Sequence, residues 1–286
     1  MKVMVNIVYF SNNQKSFLNQ LVEEYNKYPA HVDIFIHSNK KKLKDLNKSL
    51  YKNGSILIKK YNLFLRFFLF LNKGYYLTWA PRRFIKKNVN KYDIFIFTDD
   101  DILIPKAAFN YWVKEKDPLF EKKQIPGFVL LEVDDDGIEY ALGYAKKKFV
   151  KKIKIGDSEF YINENHKYMA CWMYDKTMMN YWINSGYYDI RKTINPKDLK
   201  SDFLDKLKIN NLSLRYLFYD FRNKKGHGIR ENSTYGMNSP NLKLIKNTLL
   251  LIDENKLSND NKIYHLDNHY SKGDHPIGST RLVDLF

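Results

Sequence analysis

The sequence predicts an α/β protein built on a central, mostly parallel sheet flanked by helices, and three observations point that way. Over roughly the first hundred residues, short β-branched and aromatic runs alternate with segments of helical periodicity. One of those runs, residues 93–97, is almost wholly apolar, as a strand in the middle of a parallel sheet must be. The chain has 286 residues and 44% of them are hydrophobic, enough for a substantial core and too many for a disordered chain.

Residues 3–10 are rich in Val, Ile and aromatic side chains and read as the first strand, ending at the polar cluster Ser11, Asn12 and Asn13. A helix over 15–27 follows, because Phe17, Leu18, Leu21, Val22 and Tyr25 recur at three- and four-residue spacing, and Pro29 stops it. Residues 32–37 read as the second strand, 40–50 as a basic helix and 54–60 as the third strand, a rhythm that implies parallel pairing through right-handed crossovers. A helical stretch over 63–90 leads to the strand at 93–97. Further on, 126–133 is a strand with 140–144 as its partner, and 149–162 is a basic hairpin around Gly156 and Asp157. Residues 169–185 predict a helix packed by Trp172, Met173, Met178, Met179, Tyr181 and Trp182, whereas 235–243 and 271–280 read as loops. No repeat and no clear linker interrupts the chain.

Lys and Arg number 48 against 32 Asp and Glu, a formal charge of +16. Such an excess attracts nucleic acid, anionic lipid headgroups or phosphate-bearing small molecules, and does not choose among them. Much of it lies in runs at 40–44 and 146–154 mixed with Asn, a pattern that AT-rich coding also produces. The lone cysteine, Cys171, rules out an intramolecular disulfide and a multi-cysteine zinc site, and beside Met169, Ala170 and Trp172 it reads as a buried thiol. Residues 1–10 run straight into the first strand without an apolar leader or cleavage site, which predicts a mature start in a reducing cytoplasm. The longest apolar stretch, 61–71, carries Arg66 and is shorter than a membrane span requires. It suits a core helix or, with Lys59, Lys60, Arg66 and Lys73 around it, peripheral contact with an anionic membrane.

Asp99, Asp100 and Asp101 follow the apolar strand directly and precede Ile102, Leu103 and Ile104. Two carboxylates one residue apart at a strand end can hold a hard divalent cation whose other positions go to diphosphate oxygens and water. A second triplet, Asp134, Asp135 and Asp136, ends in Gly137 and reads as an ordinary turn. What separates the two is the apolar sequence on both sides of the first.

The run from Tyr92 and Asp93 through Ile94, Phe95, Ile96, Phe97 and Thr98 to Asp99, Asp100, Asp101 and Ile102 resembles the DXD region of GT-A type nucleotide-sugar-dependent glycosyltransferases. Leu77, Thr78, Trp79, Ala80, Pro81, Arg82 and Arg83 upstream, with Pro126, Gly127, Phe128 and Glu132 downstream, fit bacterial, plant and viral transferases of that kind. The likeness covers the first half of the chain well and the second half poorly. It implies a GT-A, Rossmann-like nucleotide-binding fold in one domain, with residues 1–105 as the donor-binding half and 106–286 as the acceptor-binding half and C-terminal closing loop. It implies transfer of a sugar from a nucleotide-diphosphate sugar to a glycan or other hydroxyl acceptor, assisted by Mn²⁺ or Mg²⁺.

Carried onto this chain, the resemblance makes Asp101 a metal ligand and Asp99 a ribose contact or water-mediated metal contact, with Asp100 the alternative that points toward the sugar. A C-terminal histidine, His265 or His269 with His265 favoured, completes the metal set. Arg82, Arg83 and Lys272 are placed for the diphosphate, their forked or flexible cations suiting phosphate oxygens. Ser11 and Asn12 are placed for the nucleobase and ribose. An inverting transfer needs a general base. Spacing selects none among Glu132, Asp157, Glu159, Glu164 and Asp189, and Glu132 lies nearest the metal strand in sequence. The 22 Tyr and 19 Phe suit both a core and a sugar-stacking surface. Another divalent-metal phosphotransfer enzyme would use the same carboxylates, but no glycine-rich phosphate loop is present. A basic nucleic-acid or polyanion binder would account for the charge and leave the enclosed aspartates unexplained.

Overall fold

The computed structural model describes residues 1–10, 16–40, 43, 46–59, 61, 75–144, 148–163, 170–189, 234–239, 242–268 and 279–286. Its first sheet is centred on β1 (Lys2–Tyr9), which pairs in parallel with β2 (His31–Ser38) on one side and β4 (Ile94–Asp99) on the other. Beyond β2 lies β3 (Ile56–Lys59), also parallel, and β11 (Cys171–Asp175) closes the opposite edge antiparallel to β4. The order is therefore β11-β4-β1-β2-β3. From β1 the chain steps outward to β3 and then returns to the far side of β1 as β4. The strand order thus reverses between β1 and β4, and open α/β sheets bind ligands in the crevice at the carboxyl ends of such a pair. Every residue of β4 is buried, in keeping with its apolar sequence and central place.

Register sorts the side chains by face. Leu57, Phe35, Asn6, Phe97 and Trp172 form one row across the sheet, and Lys59, His37, Val8 and Asp99 form the row nearest the carboxyl edge on the same face. Two helices cover that face: Phe84 of α2 (Ala80–Asn88) meets Phe35 edge-on at 4.7 Å, and Trp182 of α4 (Lys176–Asn184) meets Trp172 at 5.4 Å. The other helix pair packs together through Tyr28, just past α1 (Leu18–Tyr25), which stacks on Phe109 of α3 (Lys106–Phe120) at 4.3 Å.

The turn after β4 carries the chain into a second sheet. Its strands run β15-β8-β7-β14-β5, where β5 is Ile102–Leu103, β7 is Val129–Val133, β8 is Glu139–Leu142, β14 is Lys262–His265 and β15 is Ser279–Arg281. A third sheet joins β13 (Lys256–Leu257), β12 (Asn247–Asp253), β10 (Ser158–Asn163) and β9 (Lys152–Ile155), with β6 (Gln124–Pro126) added in parallel to β12. Val129 and Leu131 of β7 pack with Tyr161 of β10 and Leu250 of β12 in a small core shared by those two sheets. The larger core draws on residues from both sides of position 105, and β11, from beyond it, completes the first sheet.

Several expectations are corrected. The stretch 169–185 is not one helix: Cys171–Asp175 is a strand, and Asp175 caps α4 by accepting from the Met178 amide at 2.8 Å. Of the basic helix at 40–50, the described residues hold only a 3₁₀ turn at Lys48–Leu50, because Asn47 accepts from the Ser49 amide and draws the chain into a tight turn. In the 63–90 stretch a 3₁₀ turn at Tyr75–Trp79 precedes α2, whose Pro81 sits in the first turn, where proline starts helices. The strand expected at 126–133 is split into β6 and β7 at Gly127, where an added Cβ would lie 2.9 Å from Thr248 Cβ. Residues 62–71 and 190–233 lie outside the described residues, as do most of 271–280. No helix among the described residues is long and apolar enough to cross a membrane.

Candidate functional site

The acidic triplet sits where the first sheet hands the chain to the second. Asp99 ends β4 and is buried, and its amide donates to the Ala170 carbonyl at 3.2 Å, just before β11. Ala170 has φ 50°, a left-handed conformation that costs an L-residue roughly 1–2 kcal/mol, so the backbone facing Asp99 is held under strain. The Thr98 hydroxyl lies 3.0 Å from the Asp99 carbonyl and 3.2 Å from that of Ile102, bracing the turn from inside. Cys171 is buried beside it, its thiol pushed up by burial and further by the Asp99 charge.

His265 arrives from the far end of the chain on β14, between β7 and β5. Ile263 pairs with Leu130 and Tyr264 with Leu131, so the parallel register sets His265 beside Glu132. On its other side His265 pairs with Ile102, and the Leu266 amide donates to the Asp101 carbonyl at 2.8 Å. The outcome is a lateral row of three side chains on neighbouring strands. His265 Nδ1 donates to Glu132 Oε1 at 2.6 Å, and its Nε2 faces Asp101 Oδ2 at 3.4 Å. Burial works against charge on this imidazole, but the hydrogen bonds to Asp101 and Glu132 outweigh it and raise its pKa to about 9.

The expected residues divide. Asp101 and His265 come together, and Asp99 ends β4 two residues before Asp101 in the same turn as Asp100. Ser11, Asn12, Lys272 and His269 lie outside the described residues. Arg82 is buried in an aromatic setting: it is 5% exposed, its Nη1 donates to the Tyr188 carbonyl at 2.8 Å, and its guanidinium lies 4.0 Å from the Trp79 ring and 4.5 Å from that of Trp182. One residue on, Arg83 points away from the packed face of α2 and is exposed. Arg82→Ala is therefore expected to cost about 2–4 kcal/mol of stability by emptying an aromatic cage, and Arg83→Ala less than about 0.5 kcal/mol, as read by urea denaturation. Glu132 is 0% exposed and its Oε1 accepts from His265 Nδ1. The second triplet is the turn that its glycine announces: Asp134 Oδ1 accepts from the Asp136 and Ile138 amides, and Gly137 has φ 78°.

His37, a weaker candidate from the end of the second strand, and Lys59 share the edge row with Asp99. His37 is fully buried; its Nε2 donates to Asn6 Oδ1 at 3.0 Å and its Nδ1 accepts from the Tyr61 hydroxyl at 2.6 Å. Burial, then the Lys59 charge, pull its pKa down to about 3. Both stand at the carboxyl ends of their strands, His37 just before Ser38 in the second and Lys59 last in the third.

The two histidines give the metal-free protein opposite pH limbs. His37 binds a proton only once unfolded, so stability falls as pH drops from 6.5 toward about 3, by up to about 1.4 kcal/mol per pH unit. His265 is held protonated, so its contribution is complete below 6.5 and is lost as pH rises through about 9. Their combined contribution is expected to peak near pH 6.5, with His37→Gln flattening the acid limb and His265→Gln the alkaline one in denaturation series.

The donor chemistry suits Mg²⁺ or Mn²⁺: carboxylate oxygens from Asp99 and Asp101 and one imidazole nitrogen. Among the described residues no group of three or more His, Cys, Asp or Glu side chains is arranged to hold a metal ion by itself. A cation here would take its remaining ligands from water and a bound ligand's oxygens, as Mg²⁺ does with substrate phosphates. Comparison with protein-family models and with curated proteins finds no match to this chain.

Proposed function

We propose that this protein is a metal-dependent glycosyltransferase that moves a sugar from a nucleotide-diphosphate sugar to a hydroxyl on a glycan acceptor, through a GT-A-like nucleotide-binding half. The observation that carries this reading is the approach of His265 Nε2 to Asp101 Oδ2 at 3.4 Å, since the resemblance pairs these two residues from opposite ends of the chain. The reversal of strand order between β1 and β4 supports it as well, because Asp99 lies at that crevice, opposite Val8 in the register.

When bound, Mn²⁺ or Mg²⁺ would be held by Asp99, Asp101 and His265 and would supply Lewis-acid neutralisation of the departing diphosphate. The chain's own residues prepare the rest. Thr98 and the Leu266 amide fix the turn that aims the carboxylates. Arg83, exposed on α2 and outside the aromatic cage, is assigned to the diphosphate. Peripheral contact with an anionic membrane through residues 61–71 belongs to this proposal only as a secondary feature.

A thermal-shift series tests the reading. With a nucleoside diphosphate at about a hundred times its dissociation constant, Mn²⁺ is expected to add about 2.7 kcal/mol, or about 5 °C, and chelation should remove the gain. Stabilisation equal with and without metal, or none with any nucleoside diphosphate, would reject it. Tight, salt-steep oligonucleotide binding that ignores metal would favour a polyanion binder instead.

A further inference from the structure

We infer that Glu132 is a positioning residue: it holds the His265 ring with Nδ1 as the donor and so presents Nε2 to the Asp101 side of the site. The inference rests on the cation reading above and deepens it.

Three observations carry it. The first is geometric. Glu132 and His265 are cross-strand neighbours on β7 and β14, and the Nδ1 to Oε1 distance is 2.6 Å, the short contact of a charge-assisted hydrogen bond. With β7 on one side of β14 and β5 on the other, the ring is gripped from both sides, and only its Nε2 is left to face Asp101.

The second is energetic. Glu132 is 0% exposed on the face of β7 that also carries Leu130, which belongs to the main core. The strand reads Val129, Leu130, Leu131, Glu132, Val133, so an apolar side chain would suit this position. A buried carboxylate is costly unless paired, and replacing a buried ion pair by packed apolar groups is often neutral or stabilising. Glu132 is paired with the His265 imidazole, so what it contributes at this position it contributes by holding that ring in one orientation.

The third is the chemistry of ligating histidines. An imidazole that offers one nitrogen to a cation almost always donates the other N–H to a carboxylate or carbonyl, which fixes tautomer and ring plane and raises its basicity. Glu132 has the required atom at the required nitrogen.

The test is a double-mutant cycle of Glu132→Gln and His265→Ala, read by Mn²⁺ titration with electron paramagnetic resonance and by ¹⁵N NMR of the histidine rings in the metal-free, full-length protein. Glu132→Gln is expected to weaken Mn²⁺ binding about 10- to 100-fold in the wild-type background and to have no added effect once His265 is alanine. In the NMR arm, the wild type should show a strongly hydrogen-bonded Nδ1–H on His265, and Glu132→Gln should shift or abolish it. Equal losses in both backgrounds, or an unchanged His265 spectrum, would overturn the inference, since a merely structural glutamate acts independently of His265. If the wild type binds no Mn²⁺ the cation reading falls, and the NMR arm still decides the role of Glu132.

Discussion

Asp101→Asn is expected to abolish Mn²⁺-dependent nucleotide binding and to lower sugar transfer by about 10³-fold while leaving the fold in place. Asparagine has nearly the same shape as aspartate and lacks its charge, so the substitution isolates the electrostatic part of the site. The backbone does not depend on that charge. The Leu266 amide donates to the Asp101 carbonyl, and Thr98 braces the turn through carbonyls, whichever side chain position 101 carries. Asp101 is 28% exposed, and an ion pair in that setting contributes less than about 1 kcal/mol to stability. What is lost is a hard oxygen ligand and the neutralisation of charge on a departing diphosphate, an effect of several kcal/mol in the rate. The measurements are Mn²⁺ titration by electron paramagnetic resonance, product formation from a panel of nucleotide-sugars, and a urea midpoint to show that folding is intact. A variant that binds Mn²⁺ and turns over like the wild type would remove Asp101 from the metal site. Asp100→Asn, in the same turn, is the comparison, and is expected to affect turnover more than Mn²⁺ affinity.

What could be read from the sequence was what local pattern dictates. β1, β2 and β4 announced themselves because buried parallel strands are continuous apolar runs, and α1 because Leu18, Leu21, Val22 and Tyr25 are the residues it buries. The hairpin around Gly156 and the turn at Gly137 followed from glycines with positive φ, 61° and 78°. Misreadings arose where tertiary context decides. Trp172, Met173 and Tyr174 are apolar at every position, so periodicity could not tell a helix from the antiparallel strand that β4 recruits. α3 and β12 to β14 went unassigned because their surroundings offered no comparable rhythm of strand and helix.

The same limit governs the site. Asp101 and His265 were legible as residue types suited to a cation, but only register on β5, β14 and β7 brings Glu132 beside them. A sequence shows that Arg82 and Arg83 are both arginines; it does not show that one is stacked between Trp79 and Trp182 and the other exposed. Charge count does not show which cations are buried, and nearness in sequence does not show that Glu132 pairs with His265.

The largest stability loss is expected at Trp172. It is 2% exposed and sits among three rings: Phe97 stacked at 5.4 Å, Tyr174 stacked at 5.0 Å and Trp182 edge-on at 5.4 Å. From above, Gly236 presses so closely that an added Cβ there would lie 2.9 Å from the indole, and its φ of 59° holds the chain in that approach. Trp172→Ala leaves a cavity walled by groups that cannot all collapse into it, and is expected to cost about 3–5 kcal/mol, a large share of the roughly 5–15 kcal/mol that holds a folded domain together. The damage should reach the site, because β11 is an edge strand whose pairing with β4 ends at Thr98, beside the amide that ties Asp99 to Ala170. Trp172→Phe keeps one stacked ring and should lose about half as much. Urea denaturation reads both as a lower midpoint at unchanged slope. If Trp172→Ala cost less than about 1 kcal/mol, the aromatic layer would not be what clamps β11 to β4, and the fixed position of the aspartates would need a different cause.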